Sequence, residues 1–99
     1  MKLKLSYQEF DALYKIFQAL CNKYACEDML DKLLHVLLTC IYIKLHTKSV
    51  IRKETYSVKL SEAEAICFWE VLHDHKLPDG SFEGNLINII CQSIHQKFA

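Results

Sequence analysis

The chain has 99 residues, of which 52% are hydrophobic, and this content supports one domain with a single core. Twelve Lys and Arg residues balance twelve Asp and Glu residues, so the formal net charge is zero. This balance excludes the broad electrostatic attraction that drives non-specific binding to nucleic acid or to anionic membranes. We therefore predict one domain spanning residues 1–99.

Apolar runs and cysteines indicate the compartment. Lys2 and Lys4 interrupt the N-terminal apolar residues, so the continuous stretch of a signal peptide is lacking. The most apolar segment, residues 33–43, is shorter than the ~20 residues that cross a bilayer. We predict a cytosolic protein without a membrane partner. In that compartment the five cysteines are expected to be buried small hydrophobic residues without disulfides; they are Cys21, Cys26, Cys40, Cys67 and Cys91.

The first unit of the chain begins with alternating charged and apolar residues. This alternation predicts a half-buried strand over residues 2–5, with Leu3 and Leu5 inward. From Ser6 the apolar residues recur at helical spacing, which predicts a first helix from about residue 7 to about residue 24.

A second helix is expected from about residue 27 to about residue 47. Acidic residues lie near its start and basic residues near its end, as the helix macrodipole favours. The middle of this helix is apolar nearly all round. It must therefore be covered on more than one side, either by the other helices or by another copy of the chain.

The second unit repeats this order of elements. A strand is predicted between residues 50 and 60, followed by a third helix capped by Ser61 and fading near residue 75. A turn is predicted at residues 77–80, which read Leu-Pro-Asp-Gly, and Ser81 is the expected cap of a fourth helix. The expected buried positions are Tyr56, Val58 and Leu60 in the strand, Ile66, Phe68, Trp69 and Leu72 in the third helix, and Phe82, Leu86, Ile89, Ile90 and Ile94 in the fourth.

One short phrase occurs in both units. Lys-Leu-Ser stands at residues 4–6 and 59–61, and each Ser is followed three positions later by a glutamate, Glu9 or Glu64. A capping box explains both the type and the spacing of these residues, so we prefer it to an acid/base pair of glutamates. Apolar positions after each box also match at a nearly constant offset. We predict two strand-helix-helix repeats, about 1–48 and 50–99, that arose by duplication.

These elements predict a mostly helical α+β fold, in which four helices support a two-stranded ribbon. Antiparallel pairing is the simplest arrangement, although two strand-helix-helix units also permit a parallel ribbon. Two strands alone make a marginal sheet, so a helix layer must cover one face. A dimer that pairs ribbons would meet the same need.

Few residue patterns suggest catalysis or metal binding. His73 and His75 are the best metal ligands by type, but positions two apart on a helix point about 200° from each other. The pair Cys21 and Cys26 has no recognisable further ligands. His35 and Cys40 have the composition of a nucleophile pair, yet we expect a packed cysteine and a hydrogen-bonded histidine. We therefore predict no catalytic residues, no metal and no cofactor.

The local basic stretch is the other candidate site. It contains Lys44, Lys48, Arg52 and Lys53, and these side chains could contact a nucleic-acid backbone. Glycines that would cradle a phosphate are scarce, because the chain has only Gly80 and Gly84. Neutral overall charge favours a solvated surface instead.

Three functions follow from these patterns. The favoured one is a small non-enzymatic protein that binds another protein or forms a homodimer. The second helix supports it, because its apolar residues need to be covered on more than one side. The first alternative is a nucleic-acid-binding accessory factor that uses Lys44 to Lys53. The second is a metal-binding protein that uses His73 and His75.

Overall fold

The computed structural model describes residues 1–23, 28–73 and 81–98. Within them the predicted α+β arrangement of four helices and a two-stranded antiparallel sheet is confirmed. The elements are β1 (Lys2–Ser6), α1 (Tyr7–Lys23), α2 (Met29–Ser49), β2 (Thr55–Lys59), α3 (Glu62–Leu72) and α4 (Phe82–Phe98). The turn predicted at residues 77–80 and the expected end of the third helix near residue 75 lie outside the described residues.

The two strands pair in register along their whole length. Leu3 lies opposite Val58 and Leu5 opposite Tyr56, and all four side chains are buried, as the alternation predicts. The second strand is shorter than expected because the residues before it form a bend. There the Tyr56 hydroxyl accepts from the Lys53 N–H at 2.9 Å and donates to the Ile51 carbonyl at 3.1 Å. The connection from α2 is therefore held as a loop.

Both predicted capping boxes are confirmed. The Glu9 carboxylate accepts from the Ser6 N–H at 2.8 Å, while the Ser6 hydroxyl accepts from the Glu9 N–H at 3.2 Å. The same two bonds join Ser61 and Glu64 at 2.8 and 3.1 Å. Each box fixes the point at which a strand becomes a helix.

The core lies between helices that contact each other in a cycle: α1 packs on α2, α2 on α3, α3 on α4, and α4 on α1. Phe17 and Phe68 are fully buried at its centre, with ring centroids 5.5 Å apart. The sheet covers one part of this core through α1 and α2.

Three of the predicted core positions are wrong. Ile66, Phe82 and Ile89 are exposed by 47%, 49% and 61%, whereas Ile87 and Cys91 of α4 are buried. Ile66 is two positions from Glu64 and from Phe68, which are both buried, so it lies on the opposite side of α3. Phe82 and Ile89 are exposed because α4 packs against both α3 and α1, which turns its buried face towards Ile87 and Cys91. A single helical stripe does not reveal such a rotation.

Candidate interaction surface

Helix α2 carries apolar residues on two opposite faces. Its inner face packs into the core through Leu38, Ile41 and Leu45, which are buried, with Leu34 partly buried beside them. The outer face points away from the other helices. Its exposed apolar residues form what we call the outer stripe: Met29, Leu33, Val36, Cys40, Ile43 and Val50.

The outer stripe has the spacing of a helix-pairing seam. Its positions follow one another at intervals of four and three residues, and the exposed Thr47 occupies the remaining place between Ile43 and Val50. This alternation keeps residues on one line along a helix, as in the a and d positions of a coiled coil. The apolar residues of the inner face recur at the same intervals. Apolar residues on both faces explain why the sequence of this helix is apolar nearly all round.

Contacts on both flanks of α2 fix which face is outer. On one flank, the Tyr14 hydroxyl of α1 lies 2.5 Å from Nδ1 of His46. On the other flank, Lys44 forms an ion pair with Glu64 of α3, and the Cys67 thiol of α3 contacts the Leu34 carbonyl at 3.5 Å. Because α1 and α3 hold the two flanks, α2 cannot rotate to bury the outer stripe.

The stripe is exposed along its whole length. Met29 and Val50 at its ends are exposed by 80% and 78%. Leu30 and Ile51 widen it at the same two ends and are also largely exposed. A row of exposed apolar side chains along a whole helix marks a candidate interaction site. The sequence predicted that α2 needs covering on more than one side, but its apolar pattern did not separate this exposed row from the row that enters the core.

The cysteines do not all behave as buried hydrophobic residues. Cys67 and Cys91 are buried as predicted, but Cys40 is exposed, so the prediction that it is packed in the core is wrong. The face it occupies is the one that α1 and α3 leave open. His35 is half-buried on the same helix, and Cys26 lies outside the described residues.

We expect the exposure of these thiols to decide the order in which they are alkylated. Burial raises the pKa of the Cys67 and Cys91 thiols to about 11, so few of these groups are reactive thiolates at neutral pH. In dilute native protein at pH 7, Cys40 should react with a maleimide at least about tenfold faster than either buried thiol. Peptide mass spectrometry over time measures this order, and equal rates would contradict the burial of Cys67 and Cys91.

The basic stretch does not form one free cationic surface. The Lys44 ammonium donates to the Glu64 carboxylate at 2.5 Å and to the Lys59 carbonyl at 3.0 Å. The Arg52 guanidinium lies 4.4 Å from the centre of the Tyr7 ring. Lys48 and Lys53 have exposed side chains. Two of the four basic side chains predicted to contact nucleic acid, Lys44 and Arg52, therefore already interact with other residues of the domain.

Glu64 is the one described buried residue that is charged at neutral pH. Burial by itself would raise its pKa, but hydrogen bonds from Lys44 and from Ser61 outweigh that effect and lower the pKa below its ordinary value of 4.5. The carboxylate is thus ionised at neutral pH and acts as a cap and ion-pair partner. A general acid would need the opposite shift.

The structure describes one of the two histidines proposed as metal ligands. His73 stacks on Trp69 with ring centroids 3.9 Å apart, and its Nδ1 lies 2.7 Å from the Trp69 carbonyl. His75 lies outside the described residues. Within the part of the chain that is described, no group of three or more His, Cys, Asp or Glu side chains is arranged to hold a metal.

A shallow apolar groove lies between α3 and α4. It has a volume of about 230 Å³ and is lined by Ile66, Trp69, Ile94, His95 and Phe98. Its lining offers one titratable side chain, His95, and contains no pair of groups for acid/base or nucleophilic chemistry.

Comparisons with known proteins add no functional assignment. No protein-family model, curated protein or solved structure matches this chain. Among the described residues, no helix combines the length and the apolar content needed to cross a membrane. Arguments about function therefore rest on the surface described above.

Proposed function

We propose that this protein is a non-enzymatic interaction module that self-associates as a homodimer through the outer stripe of α2. The observation that carries the proposal is the exposed seam from Met29 to Val50, with four-three spacing, on a helix whose two flanks are already held. Such a seam is complementary to a copy of itself, and two-fold dimers are the commonest assemblies of soluble chains.

The length of the seam and its apolar content suit a dimer interface. Helix α2 has 21 residues and is therefore about 30 Å long. With Leu30 and Ile51, the outer stripe offers eight exposed apolar side chains along this length. Zero net charge offers no general repulsion between copies.

The solution mass tests the proposal most directly. Light scattering from about 1 μM to about 1 mM covers the affinities expected for weak and standard interfaces. We expect the mass to rise from one 11.6 kDa chain to two chains and to stop there. A mass of one chain across this range would refute the homodimer.

Nucleic-acid binding receives less support. Lys44 and Arg52 are engaged within the domain, which leaves Lys48 and Lys53 as the exposed cations of the stretch. Two cations give little counterion release, so affinity would be weak even at low salt. We likewise favour no catalytic or metal-dependent function, because the described Glu9 and Glu64 act as helix caps and the exposed Cys40 lies within the apolar outer stripe.

We also infer that the two strand-helix-helix units descend from one duplicated unit. Two features support this history: in both units a formed capping box joins the strand to the first helix, and the two strands pair with each other. A cytosolic location is part of the same proposal, because an exposed thiol such as that of Cys40 remains reduced in that compartment.

A further inference from the structure

We infer that the partner helix on the outer stripe is α2 of a second copy running antiparallel, with the two-fold axis close to Cys40. This inference rests on the proposed function and adds the orientation and the centre of the interface. The charge at the two ends of α2, the symmetry of the stripe and the helix macrodipole each point to the same arrangement.

The two ends of α2 differ in charge. At the start, the carboxylates of Asp28 and Asp31 outnumber the single ammonium of Lys32. At the end and in the loop that follows, three cations outnumber the single carboxylate of Glu54; they are Lys48, Arg52 and Lys53. An antiparallel pair places each acidic end beside the partner's basic end, whereas a parallel pair places like charges together. The Debye length is about 8 Å at physiological ionic strength. Charged groups that lie closer together than this distance therefore favour the antiparallel pair over the parallel one.

The helix macrodipole acts in the same direction. Asp28 caps α2 by accepting from the Asp31 N–H at 2.8 Å, so the helix has an ordered N-terminus. Antiparallel neighbours bring the positive end of one dipole to the negative end of the other. The favoured orientation therefore satisfies both the side-chain charges and the backbone dipoles.

The outer stripe is nearly symmetric about Cys40. Met29 and Leu30 lie as far before this residue as Val50 and Ile51 lie after it, and all four are exposed by 63% or more. Nearer the centre, Val36 and Ile43 are exposed by 52% and 56%. With a two-fold axis at Cys40, Met29 and Leu30 of one copy lie opposite Val50 and Ile51 of the other. Both apolar ends of the stripe are then covered in each copy.

This dimer would also neutralise part of the basic stretch. Lys48 and Lys53, which are exposed in the single chain, would lie near the partner's acidic helix start. Increasing salt should then weaken the dimer modestly, since the flanking charges attract while the apolar seam supplies most of the stability.

Site-specific cross-linking tests the orientation. The parent variant carries Cys21→Ala, Cys26→Ala and Cys40→Ala, and its mass by light scattering is measured first. One protein then receives Leu33→Cys and another receives Thr47→Cys. These positions are about 21 Å apart along one helix, so a bis-maleimide with a span of about 10 Å joins only residues that face each other across the interface.

The antiparallel dimer predicts roughly tenfold more cross-linked product in the mixture of the two proteins than in either alone. Mass spectrometry should identify this product as position 33 joined to position 47. Efficient cross-linking within each protein alone would overturn the orientation while leaving self-association intact. A dimer that cross-links in neither case would place the interface away from α2. If light scattering shows that both the wild-type chain and the parent variant are monomers, the proposed function itself is refuted.

Discussion

Replacing Ile43 with glutamate is expected to abolish the dimer without unfolding the chain. The side chain lies in the middle of the outer stripe and is 56% exposed in the single chain, so the folded monomer accommodates a glutamate. In the dimer, the change buries an unpaired carboxylate once from each copy. At about 2 kcal/mol per copy, the two-fold interface loses about 4 kcal/mol, which is roughly a thousandfold in Kd.

The matched control is Ile89→Glu. It makes the same chemical change at an isoleucine that is 61% exposed on α4, away from the outer stripe. Light scattering should show a monomer for Ile43→Glu and an unchanged dimer for Ile89→Glu, while circular dichroism shows equal helix content. If both variants keep the dimer, the interface lies elsewhere. If Ile89→Glu alone dissociates it, the α4 surface is the interface.

The second large effect concerns Glu64, because this buried carboxylate forms a capping box like that of Glu9 and also pairs with the half-exposed Lys44. Glu64→Ala removes the carboxylate half of the capping box and leaves Lys44 without its carboxylate, so we expect a loss of about 2–3 kcal/mol in the free energy of unfolding. Glu9→Ala removes the equivalent cap at an exposed site and should cost about 0.5–1 kcal/mol. Urea unfolding in the Ile43→Glu background measures both without a contribution from dimerisation.

A double-mutant cycle with Lys44→Ala identifies the source of the difference. The coupling between Lys44 and Glu64 should account for most of the gap between the two glutamates, on the order of 1 kcal/mol or more. Equal losses for Glu64→Ala and Glu9→Ala would show that the ion pair adds nothing to the cap.

Acidity should weaken this contribution in a defined direction. The folded-state pKa of Glu64 lies below its ordinary value of 4.5, so the folded state holds the ionised form more strongly than the unfolded state does. Its stabilisation is complete above that ordinary value and is lost as the pH falls through the folded pKa. The wild-type chain should therefore lose more stability than Glu64→Ala as the pH falls below about 4.5.

Local patterns were sufficient to predict the elements of the fold. The Ser and Glu spacing predicted both capping boxes, because a cap depends on residues within one helical turn. The alternation of apolar residues predicted which faces of β1 and β2 are buried, since neighbouring residues of a strand point to opposite sides. These features depend on the chain near each residue and not on distant contacts.

Local patterns did not predict which face of a helix is buried where that helix packs against two others. The rotation of α4 that buries Ile87 and exposes Ile89 depends on its packing against both α1 and α3. Likewise, α2 contains two apolar faces of equal spacing, and the sequence alone cannot say which one enters the core.

The sequence by itself thus determined the order of the helices and strands, the serine caps of α1 and α3, and the excess of apolar surface on α2. Only the tertiary structure decided that Leu38 and Leu45 face inward while Leu33 and Ile43 remain exposed. The physical reason is that periodicity defines a face only relative to its own helix axis. The rotation about that axis is set by long-range contacts such as Lys44 with Glu64 and Tyr14 with His46.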